Sequence, residues 1–274
     1  MRTPRRAICF LFALFLFTGP LLAGDPELFS LRVLPEERIF PRIHASGLAH
    51  QTAIAKDLGS RRWFGDIGGE RPLFELSAGT ITVQGGIGAT VHAGILRKPP
   101  LLQVVTVDFV VDFPIDIRIT PELSIRTGYG HFSAHIADDG IEVLGIRSIN
   151  YAKDRISLLT AWQFPVARGF VYAGGRYDFH SLPEIGKHWV AQLGGEAHPL
   201  RLFEGATLYA AVDLRLKEET AWQSIQSYQI GIAVWGRTDA SVRMSYTWRT
   251  GGDDRGQFYR QTTSVHLLGV SFDL

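Results

Sequence analysis

The sequence predicts an all-β fold: a single transmembrane antiparallel β-barrel of about twelve strands, preceded by a cleaved signal peptide. Three observations carry this expectation. Apolar residues recur at every second position over long stretches, the connections alternate between short and long, and the last strand keeps its apolar face to the final residue. Composition permits it. Of 274 residues, 46% are hydrophobic, with 28 Lys plus Arg against 27 Asp plus Glu and a mean hydropathy of +0.06. The chain is too apolar for disorder and too evenly charged to hold nucleic acid through a basic surface. After about residue 24 no apolar run reaches the ~18 residues that a spanning helix needs. A barrel spreads its apolar surface over alternate positions, so near-neutral bulk hydropathy is what it would show.

The elements follow in order. Arg2, Arg5 and Arg6 precede the apolar stretch from Ala7 to Phe17, and Thr18-Gly19-Pro20 with the small residues Ala23 and Gly24 come next. This reads as a signal peptide over 1–24, the alternative being an uncleaved anchor, for which the apolar run is short. Cys9, the only cysteine, lies inside that run, so the mature chain would carry no thiol and could form neither a disulfide nor a thiolate metal site. Without the three arginines, 25 cations face 27 carboxylates, and the net positive charge belongs to the targeting segment. Residues 25–43, with Pro26, Pro35, Pro41 and no alternation, read as an extended periplasmic lead-in, and 44–274 as the barrel. No second domain, internal repeat or helix is expected after the signal.

Within the barrel, Ile81, Val83, Ile87, Val91 and Ile95 share one parity, against Thr82, Gln84, Thr90 and His92. From Val105 to Ile117 the odd positions are apolar and Asp108, Asp112, Asp116 and then Arg118 oppose them. Val242, Met244, Tyr246 and Trp248 face away from Arg243 and Arg249, and Leu268, Val270, Phe272 and Leu274 form the apolar terminal face. Twelve strands result, near 44–56, 60–78, 80–96, 101–117, 122–135, 155–163, 169–180, 187–198, 206–216, 225–235, 239–249 and 263–274. A soluble sandwich could alternate likewise, but so long an apolar edge would aggregate unless closure removed it. Short connections at Thr120-Pro121 and Gly236-Arg237-Thr238 fall on the periplasmic side. The longer 136–153 and 251–261 regions fall outside. The expected setting is the outer membrane, with its lipids as surroundings, the terminal strand read by the barrel-assembly machinery, no nucleic-acid partner and a monomeric state.

Several motifs resemble a family. Asp108-Phe109-Val110-Val111-Asp112-Phe113-Pro114-Ile115, His131-Phe132-Ser133-Ala134-His135 with Asp138 and Asp139, Ile149-Asn150-Tyr151, and Gly256-Gln257-Phe258-Tyr259 before the terminal strand look like the outer-membrane family known as domain of unknown function 1207. The resemblance spans most of the mature chain and implies an outer-membrane β-barrel with no assigned activity. Ala134 stands where that family usually has a second serine.

Two functional readings stay open. Opposite the apolar face lie Asp108, Asp112, Asp116, Arg118, Arg168, Arg176, Asp178, Asp213, Arg215, Arg243 and Arg249. Mixed signs favour mutual pairing across a narrow interior over a one-sign selectivity ring, hence a polar network in a narrow channel or structural barrel. The other reading starts from His131 and Ser133, two residues apart on the lipid-facing parity of one strand. They are similar to the His-x-Ser of outer-membrane phospholipase A and the lipid A deacylases. That resemblance implies His131 as general base, Ser133 as nucleophile and a polar orienter from the next strand, with Asn150 the candidate and Glu142 its runner-up. Two features oppose it. Asp154 shares the parity of Asn150, so the regular strand is expected to begin only near Arg155; and Gly128 and Gly130 could host a bulge that turns the pair inward. His180, His188 and His198 read as hydrogen-bonding groups, and no cofactor or metal site is expected. Gly251-Gly252-Asp253-Asp254-Arg255-Gly256 reads as an exposed hairpin connection, and the six tryptophans as an interfacial girdle.

Overall fold

The computed structural model describes residues 29–236 and 240–273, so the expected signal segment, Arg237, Thr238 and Leu274 lie outside the described residues. Twelve antiparallel strands close into one barrel. They are β2 (Thr52–Asp57), β3 (Arg62–Ala78), β4 (Ile81–Lys98), β5 (Leu101–Arg118), β6 (Leu123–Ile136), β7 (Tyr151–Phe164), β8 (Gly169–Leu182), β9 (Trp189–Phe203), β10 (Ala206–Lys217), β11 (Gln223–Trp235), β12 (Ser241–Gly252) and β13 (Thr262–Asp273). Each pairs with its sequence neighbours, and β13 closes onto β2. Closure leaves no edge along most of the wall, so the backbone polar groups of these long strands are consumed internally.

The parity read from the sequence is the parity of the wall. On β5, Phe109, Phe113 and Ile115 are exposed while Asp108, Val110 and Asp116 are buried. On β12, Val242, Met244, Tyr246 and Trp248 face out and Ser241, Arg243, Ser245 and Thr247 face in. Tyr177, Trp189, Tyr228 and Trp248 lie on the outer surface toward the end that carries the longer connections, Tyr129 and Tyr246 near mid-strand, and Trp162 and Phe203 toward the other end.

In the lead-in and in the β6–β7 region the structure departs from the sequence reading in three places. First, 25–43 was expected outside the barrel. Residues 29–33 instead form a thirteenth strand, β1 (Phe29–Val33), which pairs with Phe74–Ala78 on β3, beyond the reach of β2. From Leu34 the chain turns inside, and Ile39, Phe40, His44, Ala45 and Ser46 are buried in the lumen before β2 begins at Thr52, eight residues later than expected. The reason is packing: a twelve-strand wall encloses more space than its own side chains fill, and this segment supplies apolar groups to fill it. Phe40 packs on Leu159, Ala161, Phe170 and Tyr172, Ala45 on Tyr209, Ala211 and Ala233, and Leu48 against Val110, Phe132 and Tyr259. Second, a short helix, α1 (Asp138–Leu144), stands in the β6–β7 connection, closed by Gly145 in a left-handed conformation (φ 62°). Third, β7 begins at Tyr151 and not near Arg155, and β6 pairs on both sides without a bulge.

Candidate functional site

The lumen contains two layers of ion pairs joined by the inserted segment. Toward the end bearing the short turns, Glu70 accepts from Arg38 Nη1 at 2.6 Å and from Arg126 Nη2 at 2.8 Å, and Arg126 Nε reaches Asp116 at 2.7 Å. The Arg126 guanidinium also lies 4.8 Å from the centre of the Phe40 ring, so one side chain anchors both the charged and the apolar parts of the insert. His44 Nδ1 lies 2.7 Å from Glu196, which His198 Nε2 approaches at 2.9 Å. Asp273 accepts from Arg243 Nε at 2.7 Å and Ser241 at 2.6 Å, while Arg243 Nη2 donates to Gln51 at 3.0 Å. His50 Nε2 lies 2.8 Å from Asp112, which Arg155 Nη2 also contacts at 3.0 Å. The insert is thus tied to β3, β5, β9 and β12 through charge-assisted bonds, the strong class of hydrogen bond.

From the opposite end, the β12–β13 connection folds inward. Gly256, Phe258 and Tyr259 are buried, Gln257 Nε2 donates to the carbonyls of Ala134 and Ile149, and Asp254 accepts from Arg215 Nη2 at 2.6 Å. This corrects the reading of 251–256 as an exposed connection: its two aspartates have cationic partners inside. Burial works against the charged form of Asp254, but Arg215, Lys217 and Arg249 outweigh it and hold the carboxyl below its ordinary range. Glu219, in the β10–β11 connection, is likewise held low against its burial by Lys217 and Lys153. The insert and the loop meet at Gly47, where a side chain would sit 2.3 Å from Asp254 Oδ2.

Most of the polar residues marked in the sequence are brought together here. Asp112, Asp116, Arg176, Asp178, Asp213, Arg215 and Arg243 all have partners: Arg176 Nε lies 3.3 Å from Asp178, and Arg215 Nε donates to Asp213 at 3.0 Å. Among the described residues Asp108 accepts a single long bond, from the Gly256 N–H at 3.3 Å. Arg249 lies beside Gly47, and Arg118 has no ion pair among the described residues. Arg168 lies exposed in the turn after β7, where it lines the mouth of a cavity shared with Phe40, His44 and Glu196. Sequence reasoning missed His44, His50, Glu196, Asp254 and Asp273. Asp273 carried a usable signal in its inward parity with Ser271, and Asp254 in its position beside Arg255.

On the outer face of β6, His131 and Ser133 point away from the lumen, as the parity implies, while Phe132 and Ala134 point in. His131 Nδ1 lies 2.7 Å from Asp154 Oδ1, Tyr129 donates to the same oxygen at 2.7 Å, and His180 Nδ1 lies 2.8 Å from Oδ2. Asn150 is exposed in the connection above β7 and, like Glu142 on α1, shares no hydrogen bond with His131 among the described residues. Nor does Ser133, whose strand partner is Ala152. The group behind the histidine is therefore Asp154, the carboxylate whose outward parity counted against the site. Its three donors from β6 and β8 offset the cost of that placement.

Among solved structures, the chain is similar to Acinetobacter baumannii OccAB3, at 7% identity and a TM-score of 0.33 over 77% of this chain and 73% of that one. It is also similar to a double variant of OccD1 (OprD), at 9% identity and a TM-score of 0.30 over 77% and 74%. No curated protein matches it. Residues 33–274, from the end of β1 through the insert and the closed wall, match the family model described as protein of unknown function (DUF1207), and the chain belongs to that family.

Proposed function

We propose that the protein is an outer-membrane barrel that does not work as an open pore: its own residues 34–51 fill the lumen, and it serves as a narrow channel or a structural part of the envelope. The observation that carries this reading is the burial of Ile39, Phe40 and Ala45, each at most 2% exposed, at the centre of a closed wall. An outer surface of Phe109, Phe113, Ile156, Leu158, Ile230 and Met244 would be untenable in water over so large an area, and it suits a bilayer. With that location come the outer-membrane lipids as surroundings, the terminal β13 as the segment for the assembly machinery, and a single chain as the working unit. The test is solute entry into proteoliposomes. Wild-type barrel should give no swelling with small sugars, and a chain whose residues 34–50 are replaced by a short Gly/Ser linker should give rapid swelling. Equal swelling by both would end the reading.

One observation favours a second reading, a bilayer-facing serine hydrolase of lipid esters. His131 is oriented at Nδ1 by a carboxylate, which is the role a third member plays behind a catalytic histidine, and both face outward with Ser133 two residues along. It requires Ser133 to rotate toward His131 when a lipid is present. Phospholipid and lipid A profiles of membranes carrying wild-type protein or Ser133→Ala decide it. Identical profiles remove the hydrolase and leave the filled barrel.

A further inference from the structure

Between the insert and the wall of β5 to β10 lies a cavity of about 150 Å³ that neither reading above uses. Its lining is unbalanced, with six arginines against three carboxylates. The imbalance comes from how the wall arginines are held. Arg155 on β7, Arg176 on β8 and Arg215 on β10 stand at similar height, since Ser157 pairs with Arg176 and Arg215 with Gln192, which is two residues along β9 from Val190, the strand partner of Arg176. Each is fixed by carboxylates on one side only: Arg155 by Asp112, Arg176 by Asp178, and Arg215 by Asp213 and Asp254. On the other side Arg155 Nη1 and Arg215 Nη1 meet no hydrogen-bond acceptor among the described residues, and Arg176, whose Nε is 3.3 Å from Asp178 without forming a hydrogen bond, lines the cavity beside them. The Arg155 and Arg215 side chains are 8% and 2% exposed.

Buried N–H donors without acceptors are costly, and mutually repelling guanidiniums in a low-dielectric interior add to that cost. An anion in the cavity relieves both. The three arginines line the cavity from three strands and not from one plane, which suits a tetrahedral oxyanion better than a flat carboxylate. The volume matches the ~150 Å³ of an engineered cavity that takes up benzene, ample for an ion of phosphate size.

We propose that this cavity is a binding site for a small tetrahedral oxyanion of the phosphate class, held by Arg155, Arg176 and Arg215. Beyond the filled-barrel reading, it assigns the filled lumen a ligand. It does not depend on conduction or on the outer cluster, so a conducting wild type would leave it standing. The site also ties the insert to the wall, because Arg42 and His44 line the same cavity from the other side.

The test is thermal unfolding of the intact barrel in detergent at constant ionic strength, titrated with inorganic phosphate and, in parallel arms, sulfate, succinate and chloride. Wild type should show saturable stabilisation by phosphate, with chloride inert and succinate weaker than phosphate. Arg176→Gln should bind phosphate at least tenfold more weakly. It is the variant of choice because Arg176 has the weakest ion pair of the three. Should it fail to fold, Arg176→Lys, which keeps the charge and loses the fork, should fold and bind phosphate several-fold more weakly than wild type. The proposal is overturned by absence of saturation in wild type, by equal stabilisation from chloride, or by unchanged affinity in a folded variant. A stronger response to succinate than to phosphate would overturn the tetrahedral assignment.

Discussion

Asp112 and Asp154 sit on the strands that flank β6, opposite the adjacent residues Gly130 and His131, and they face opposite sides of the same wall. Each has a histidine nitrogen within 2.8 Å. Inside, Asp112 is shared between His50 of the insert and Arg155 of β7, a permanent cation that bonds both carboxylate oxygens. Outside, the partners of Asp154 among the described residues are Tyr129, His131 and His180, none of which is a permanent cation. One carboxylate bridges separate parts of the chain through a charge that never leaves. The other gathers three groups whose charge depends on protonation and leaves His131 Nε2 without a partner among the described hydrogen bonds. The inner arrangement builds the molecule, and the outer one is free to respond to its surroundings.

The comparison is broken most strongly from the inside. Arg155→Ala strips Asp112 of its permanent partner in a buried setting, and the expected loss is about 3–5 kcal/mol of unfolding free energy, read as an earlier denaturant midpoint in detergent. Gly47→Val drives a side chain into Asp254 at the meeting of insert and loop, with an expected loss of about 1–3 kcal/mol. A value near zero would mean that insert and loop move apart freely. Asp254→Asn should cost about 1–3 kcal/mol at neutral pH and should also flatten the acid limb of stability. The folded carboxyl titrates below its unfolded value, so its contribution is complete above roughly pH 4 and disappears as pH falls through the lower folded value. Wild type and variant should therefore converge in acid, and a constant gap between them would contradict the assignment. On the outer side, Asp154→Asn should change stability by less than about 1 kcal/mol, because the cluster is partly exposed and lacks a permanent cation.

Much of this architecture was legible from the order of residues. Alternation fixes which side of the wall each residue takes, and so Arg243, Arg215 and Asp116 could be placed inward and Phe109 and Met244 outward before any partner was known. The partners were not legible, because ion pairs such as Arg243–Asp273 and His44–Glu196 join positions 30 and 152 residues apart. The insert was misread for a local reason. Pro35, Pro41 and the lack of a two-residue period are the marks of a linker, and only the isolated apolar groups Ile39, Phe40, Ile43 and Leu48 among charged neighbours hint at something to be buried. At Asp154 the rule that a carboxylate is costly on a lipid face was sound, yet its donors come from β6 and β8, and a single strand does not reveal them.

The central claim is that residues 34–51 fill the barrel, and single-channel conductance in a planar bilayer tests it most directly. Wild-type protein should give no conductance or only the small steps of a narrow channel, and the chain with 34–50 replaced by a Gly/Ser linker should give long-lived open steps that are much larger. Long-lived wild-type steps as large as those of the linker chain, or a linker chain that inserts and stays silent, would contradict it.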